Sequence, residues 1–253
     1  MAYLLESVQY SLHPESETEQ RKSSLFSGPE KRMVSPKLST ITALALVFFI
    51  FTNESVGASY HPSEDTSFAS QKVNLSVYYA SLCQPCATFI VKNLEGIFHG
   101  DLINIVNLQL VPWANAYVDK TNHSIICQNG PDECELNSLE ACALNVLNDV
   151  NKHYALIYCF EFLAIEGRHK NWQDCFTELE LPKEPILNCY NTGNGTEIGQ
   201  KYINEAAPLY TPYEVLPWVV VNNQSIGKEY ENFTRYVCEA YRGTPVPAAC
   251  NPR

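Results

Sequence analysis

Ser81-Leu82-Cys83-Gln84-Pro85-Cys86-Ala87 is the stretch that decides the fold. It follows an apolar run, Val73 to Ala80, in which Val73, Leu75 and Val77 alternate with Asn74 and Ser76. That period of two, followed by Tyr78 and Tyr79, reads as a β-strand. Beyond Cys86, the residues Ile90, Leu94, Ile97 and Phe98 recur at helical spacing. Cys83 therefore falls where a strand ends and a helix begins. Unpaired backbone N–H groups and the helix dipole stabilise negative charge there. A thiolate is such a charge and is the reactive form of cysteine. Pro85 suits a first helical turn, where its missing N–H costs nothing. The functional reading is a dithiol/disulfide pair in which Cys83 attacks a disulfide and Cys86 resolves the mixed disulfide. A purely structural bridge is the competing reading. Zinc needs a second matched pair, and the chain has no second C-x-x-C.

Composition narrows the classes. The 253 residues carry ten cysteines and a formal net charge of −11. The excess of acid and the lack of a basic stripe exclude nucleic acid as the natural partner. Ten cysteines suit an oxidising compartment. Asn53, Asn74, Asn122, Asn194, Asn223 and Asn232 each open an Asn-x-Ser/Thr sequon, as expected of a chain that passes through the secretory route.

Residues 1–32 are polar and aperiodic. Met33 to Lys37 then leads into an apolar run, Leu38 to Phe51, with a small-residue exit at Val56-Gly57-Ala58. This is the pattern of a secretory signal peptide, and the run is short for a membrane span. Residues 1–58 are accordingly read as an N-terminal extension and signal, with the signal at 33–58 and Met33 as the working start. Residues 59–253 are read as one α/β domain, free of the membrane after cleavage.

Within that domain the strand and redox helix are followed by Leu102 to Val111, read as a second strand; together they predict a parallel βαβ unit. C-x-x-C beside a βαβ pattern points to a thioredoxin-like sheet domain. Pro112 to His123 reads as a loop. Asn137 and Glu140 have the spacing of a capping box. Helices follow over Leu139–Val150, Tyr154–Ile165 and Trp172–Leu179, and the helical insertion is placed at about 127–190. Gly193-Asn194-Gly195 reads as a loop and Thr196–Ala207 as a helix. Tyr213–Val221 reads as a strand, Asn222-Asn223 as a turn, Ser225–Ile226 as a returning strand and Gly227–Tyr241 as the last helix.

The C-x-x-C pair together with Cys127-Gln-Asn-Gly-x-x-x-Cys134-x-x-Asn137-x-x-x-x-Cys142 resembles the signature of the gamma-interferon-inducible lysosomal thiol reductase family. The segment Val215-Leu-Pro217-Trp218-Val-x-Val-Asn222 is also similar to that family. The resemblance covers Val73 to Cys238, with one departure: Asn129 stands where the family has His. It implies a thioredoxin-like fold and reduction of protein disulfides in an acidic endosomal, lysosomal or vacuolar lumen, or outside the cell. It implies disulfide-containing protein substrates, a small-thiol or protein electron donor, and no cofactor. Carried over by position, Cys83 and Cys86 are the redox pair. Pro217 takes the place of the proline that faces the sulfurs, with Leu216 and Trp218 beside it as substrate-binding candidates. The sequence leaves the Leu216–Pro217 bond open between cis and trans.

Cys127, Cys134, Cys142, Cys159, Cys175, Cys189, Cys238 and Cys250 are candidates for structural disulfides, with a local Cys238–Cys250 bridge favoured. A free thiol titrates near ~8.5, so at about pH 5 only ~0.03% is thiolate. A nucleophile working in acid needs that value lowered; a drop of about two units corresponds to ~2.7 kcal/mol. No basic residue adjoins the motif, so backbone N–H groups are expected to carry most of the shift.

Overall fold

The computed structural model describes residues 72–209 and 216–251. The signal segment at 33–58 and the Asn53 sequon lie outside the described residues.

The alternation read from the sequence sets the central strand, β1 (Val73–Tyr78). Val73, Leu75 and Val77 are buried and Asn74 is exposed. β1 pairs in parallel with β2 (Val106–Val111), Val73 opposite Val106 and Tyr78 opposite Val111. On its other edge it pairs antiparallel with β5 (Trp218–Val221), and Tyr78 faces Trp218. Asn222 and Asn223, both at positive φ, then turn the chain into the short β6 (Gln224–Ser225). The sheet order is β2-β1-β5-β6, with a parallel βαβ unit, then an antiparallel hairpin and a closing helix. This is the thioredoxin-like arrangement.

The crossover begins with α1 (Gln84–Thr88), passes through a π turn at Phe89–Asn93 and a 3-10 turn at Leu94–Ile97, and buries Ile90, Leu94 and Ile97. Leu102–Ile105 is then a helical turn, α2, rather than the start of a strand. Leu102 and Ile105 are the buried pair, three residues apart, which is a helical spacing. The loop expected over 112–123 contains Tyr117–Val118 (β3), which pairs with Ile125–Ile126 (β4) in a separate hairpin.

Five helices follow: α3 (Pro131–Val146), α4 (Val150–Ile165), α5 (Asp174–Glu178), α6 (Lys183–Asn191) and α7 (Asn194–Ala206). α4 packs against both α3 and α1, while α3 also packs against α6 and α7. Helical structure thus runs on past residue 190, and Gly193, at φ +81°, serves as the junction between α6 and α7 rather than opening a long loop. The last helix, α8 (Phe233–Ala240), follows a 3-10 stretch at Gly227–Asn232 and covers β5 and β1. Its Phe233 meets Phe89 edge to face at 5.6 Å between ring centres.

Two glycines let α7 lie close. A Cβ on Gly195 would stand 2.6 Å from the Ser138 carbonyl oxygen of α3. One on Gly199 would stand 2.5 Å from the ring of Trp113, a side chain only 1% exposed. Glycine to alanine inside a helix ordinarily gains about 1 kcal/mol. Here overpacking, at about 1–3 kcal/mol, outweighs that gain. Gly199→Ala is expected to lower the urea midpoint of unfolding; a raised midpoint would contradict the close approach.

Candidate functional site

Cys83 is the N-cap of α1, in extended backbone (φ −84°, ψ 105°), and its Sγ accepts the Cys86 N–H at 3.4 Å. Its carbonyl accepts the Ala87 N–H at 2.9 Å. Pro85 lies in the first turn, where no intrahelical donor is needed. Cys83 and Cys86 are disulfide-bonded, with a Cα separation of 5.2 Å. The two sulfurs are not equivalent in access. Cys86 is fully buried, whereas Cys83 is half-buried and lines a cleft of about 450 Å³. A partner arriving from solvent meets Cys83.

Leu82, Pro85, Asn115, Gln128, Asn129 and Leu216 form much of the wall around that sulfur. Leu216, named from the sequence, is thus brought to the cleft. The Leu216–Pro217 peptide is cis, Pro217 is buried, and half-buried Trp218 begins β5. A roomier cleft of about 600 Å³, bounded by Trp113, Pro131, Ser138 and Thr196, holds neither redox sulfur. Size is therefore no guide to the chemistry here.

The approach to Cys83 is constrained. Leu82 sits at φ +60°, a left-handed conformation that costs a branched residue about 1–3 kcal/mol. The neighbouring Ser81 holds it there by donating both its backbone N–H and its Oγ–H to Asn137 Oδ1, each at 3.0 Å. Asn137 is fully buried on α3. One turn earlier, Glu133 Oε2 accepts the Asn129 N–H at 2.6 Å and so fixes the opposite wall of the cleft. The spacing of Asn137 and Glu140 resembles a capping box. Instead α3 starts at Pro131, after Gly130 at φ +90°, which leaves Asn137 and Glu140 in mid-helix with their side chains facing inward.

A group of buried acids lies beneath. Glu133, Glu140 and Glu161 are each at most 1% exposed. Burial pushes the Glu140 carboxyl up to about 8, opposed by the nearby hydroxyls of Tyr79 and Ser81. Burial, reinforced by Glu140 and Glu133, pushes Glu161 well above the carboxylate range. Burial also raises Glu133, partly offset by its bond from Asn129. The Tyr79 phenol is raised by burial and then by the nearby carboxyls. Sequence reasoning passed over these acids. The available signals were one glutamate inside the otherwise apolar run Tyr154–Ile165, and the spacing of Glu133, Asn137 and Glu140 along one helix face.

The other eight cysteines are joined as Cys127–Cys134, Cys142–Cys189, Cys159–Cys175 and Cys238–Cys250. Three of the bridges fasten helical elements: α3 to α6, α4 to α5, and α8 to the tail. Cys127–Cys134 closes the segment that presents Gln128 and Asn129 to the redox cleft. The sequon residues Asn74, Asn122, Asn194, Asn223 and Asn232 are all exposed.

Comparison with known proteins follows the same lines. Residues 74–179 match the family model for gamma interferon inducible lysosomal thiol reductase. The chain is 36% identical to the gamma-interferon-responsive lysosomal thiol protein of Arabidopsis thaliana, over 72% of this chain and 77% of that one. It is 31% identical to the gamma-interferon-inducible lysosomal thiol reductase of Mus musculus, over 72% of this chain and 73% of that one. Among solved structures, the MdbA protein of Corynebacterium diphtheriae, a thiol-disulfide oxidoreductase, superposes at a TM-score of 0.49 with 11% identity, over 66% of this chain and 83% of that one. On the strength of its curated relatives, the chain belongs to the gamma-interferon-inducible lysosomal thiol reductase family and is a thiol-disulfide oxidoreductase.

Proposed function

We propose that this protein reduces disulfides of protein substrates through Cys83 and Cys86, in an acidic endomembrane lumen or outside the cell. The observation that supports this best is the unequal access of two bonded sulfurs at a helix N-cap. The Cys83 thiolate attacks one sulfur of the substrate disulfide; a Cys83–substrate bond forms and the substrate's other sulfur leaves as a thiolate. The Cys86 thiolate then attacks the Cys83 sulfur, closing the Cys83–Cys86 bridge and releasing the second substrate thiolate. Two electrons pass to the substrate, and the two protons of the dithiol end on the two substrate thiols. A small thiol or a protein dithiol restores the starting state by the reverse exchange.

The N-cap supplies a free N–H, that of Cys86, to the Cys83 sulfur, and the α1 dipole adds about 0.3–2 kcal/mol in favour of its thiolate. Leu216 from the strand side and Asn129 from the helical side bound the cleft that receives the substrate chain. Among the described residues no helix is long and apolar enough to cross a membrane. Exposure of the sequon residues is compatible with glycan attachment during secretion.

Cys86→Ser, mixed with a denatured disulfide protein, is expected to accumulate a mixed disulfide on non-reducing gels at about pH 5 as well as at neutral pH. Cys83→Ser is expected to give none. An adduct that persists without Cys83 would reassign the nucleophile, and one confined to neutral pH would move the protein out of an acidic lumen. Asn137→Ala removes both bonds that hold Ser81. It is expected to cost about 1–3 kcal/mol in urea unfolding and to lower kcat/KM about tenfold to a hundredfold through misplacement of Cys83. Unchanged kcat/KM would separate the Ser81 contact from catalysis.

A further inference from the structure

The cleft at Cys83 carries more amides than the exchange chemistry uses. Four of its lining side chains, Gln84, Asn115, Gln128 and Asn129, end in neutral amides, and none of the lining residues is charged. In a chain of net charge −11 this is a local exception. Such a lining has no ion pair to offer a substrate. It offers neutral donors and acceptors, which complement peptide N–H and C=O groups.

Two of these amides are joined. Asn115 Nδ2–H donates to Gln128 Oε1 at 3.4 Å. Asn115 lies between β2 and β3, and Gln128 lies beyond β4 in the loop closed by Cys127–Cys134. The bond is long and both side chains are exposed, so little stability depends on it. Asn115 Oδ1 and the Gln128 Nε2–H groups have no partner among the described residues.

The backbone beneath each amide is held more firmly than the amide itself. Trp113 and Asn115 sit at φ +71° and +65°. Asparagine tolerates that conformation, but for an aromatic residue it is an outlier. Trp113 is kept there by burial, with Gly199 of α7 against its ring. The Ala114 N–H donates to the Tyr79 carbonyl at 2.9 Å, and the Ala116 N–H donates to the Trp113 carbonyl at 3.2 Å. Tyr79 leads directly into the redox loop, so the segment of Asn115 is registered on the strand end that delivers Cys83. On the other segment a disulfide brackets Gln128, and Glu133 Oε2 accepts the Asn129 N–H at 2.6 Å. Strained backbone that presents an exposed, half-used side chain to a cleft points to recognition and not to packing.

We propose that Asn115 and Gln128 are specificity-determining residues: their amides hydrogen-bond the main chain of the substrate segment flanking the disulfide, so the cleft selects accessible peptide backbone and not particular side chains. This rests on the thiol-reductase reading of the same cleft and names what that cleft recognises. A substrate peptide group replaces the long Asn115–Gln128 bond at little cost, because it supplies the same kind of donor or acceptor. Folded chains keep their peptide groups paired within helices and sheets, whereas unfolded chains present them. The selection is for chain that has lost its secondary structure, whatever its sequence.

The test uses a short fluorescent peptide with serine in place of its cysteine, and the same peptide N-methylated on the residues flanking that serine. Binding to the oxidised wild-type protein, read by fluorescence anisotropy, is expected to weaken about threefold to tenfold on N-methylation, since each methyl removes a peptide N–H. N-methylation is expected to matter less in Asn115→Gly and in Gln128→Ala. Glycine accepts φ +65° without strain, so the first variant removes the amide and keeps the backbone. Turnover is read alongside, on the disulfide-linked dimer of the cysteine peptide and on hydroxyethyl disulfide, which has no peptide group. The ratio of kcat/KM on the first to kcat/KM on the second is expected to fall about threefold to tenfold in each variant, mainly through KM. Wild-type protein that binds both peptides alike, or neither, would overturn the proposal. So would variants that lose both disulfides equally, the mark of a role in placing Cys83. Methylation-sensitive binding without turnover of either disulfide would count against the reductase reading and leave main-chain recognition standing. The variants lie on separate segments, so if one fails to fold the other decides, and the wild-type comparison needs neither.

Discussion

A single side-chain oxygen, Asn137 Oδ1, takes both hydrogen bonds that Ser81 has to give. This contact joins the sheet domain to the helical segment at the point where the chain must leave β1 and place a sulfur at a helix N-terminus. The turn has little else to hold it. Leu82 is in a conformation its side chain resists, and the Cys83 N–H reaches the Ala80 carbonyl at a long 3.4 Å. A fully buried acceptor with two charge-free donors is a good clamp, because breaking it strands polar atoms where water cannot reach them. The geometry of Cys83 thus depends on a residue far away in sequence.

The signature between Cys127 and Cys142 acquires a physical meaning in this light. Cys134 closes the loop, Glu133 holds its Asn129 amide, Asn137 holds Ser81, and Cys142 ties α3 to α6. Glu133, Cys134 and Asn137 thereby hold segments that line the cleft, while Cys142 anchors α3 behind them. Asn129 is exposed, and the fold grips it by its backbone N–H, a bond that does not depend on the identity of its side chain.

The redox turn was legible because its signals are local. Alternation over Val73–Val77, two cysteines and a proline in sequence are enough to infer a strand, a cap and a helix. The α/β class and the closing hairpin were legible for the same reason. Local pattern misled where burial is decided by distant partners. Leu102–Ile105 has the composition of a strand, but its buried pair follows a helical period. Tyr117–Val118 is strand only because Ile125–Ile126 pairs with it. Asn137 and Glu140 matched a capping pattern, but the cap belongs further upstream, and their polar groups serve tertiary contacts instead. No local rule marks three glutamates as buried, since the burial of α3 and α4 depends on packing against elements distant in sequence.

The unequal burial of the two sulfurs also governs how the protein is recharged. Under the proposed reaction the oxidised bridge offers solvent one sulfur, and that sulfur also receives substrate. Donor and acceptor must take turns at one gate, with no ternary complex between them. Kinetics of this form are ping-pong, and a surplus of either reactant delays the other by occupying the wrong oxidation state. Turnover is then set by the balance of the two pools around the protein, so the surrounding supply of reducing thiols, as much as the site itself, fixes how fast disulfides are opened.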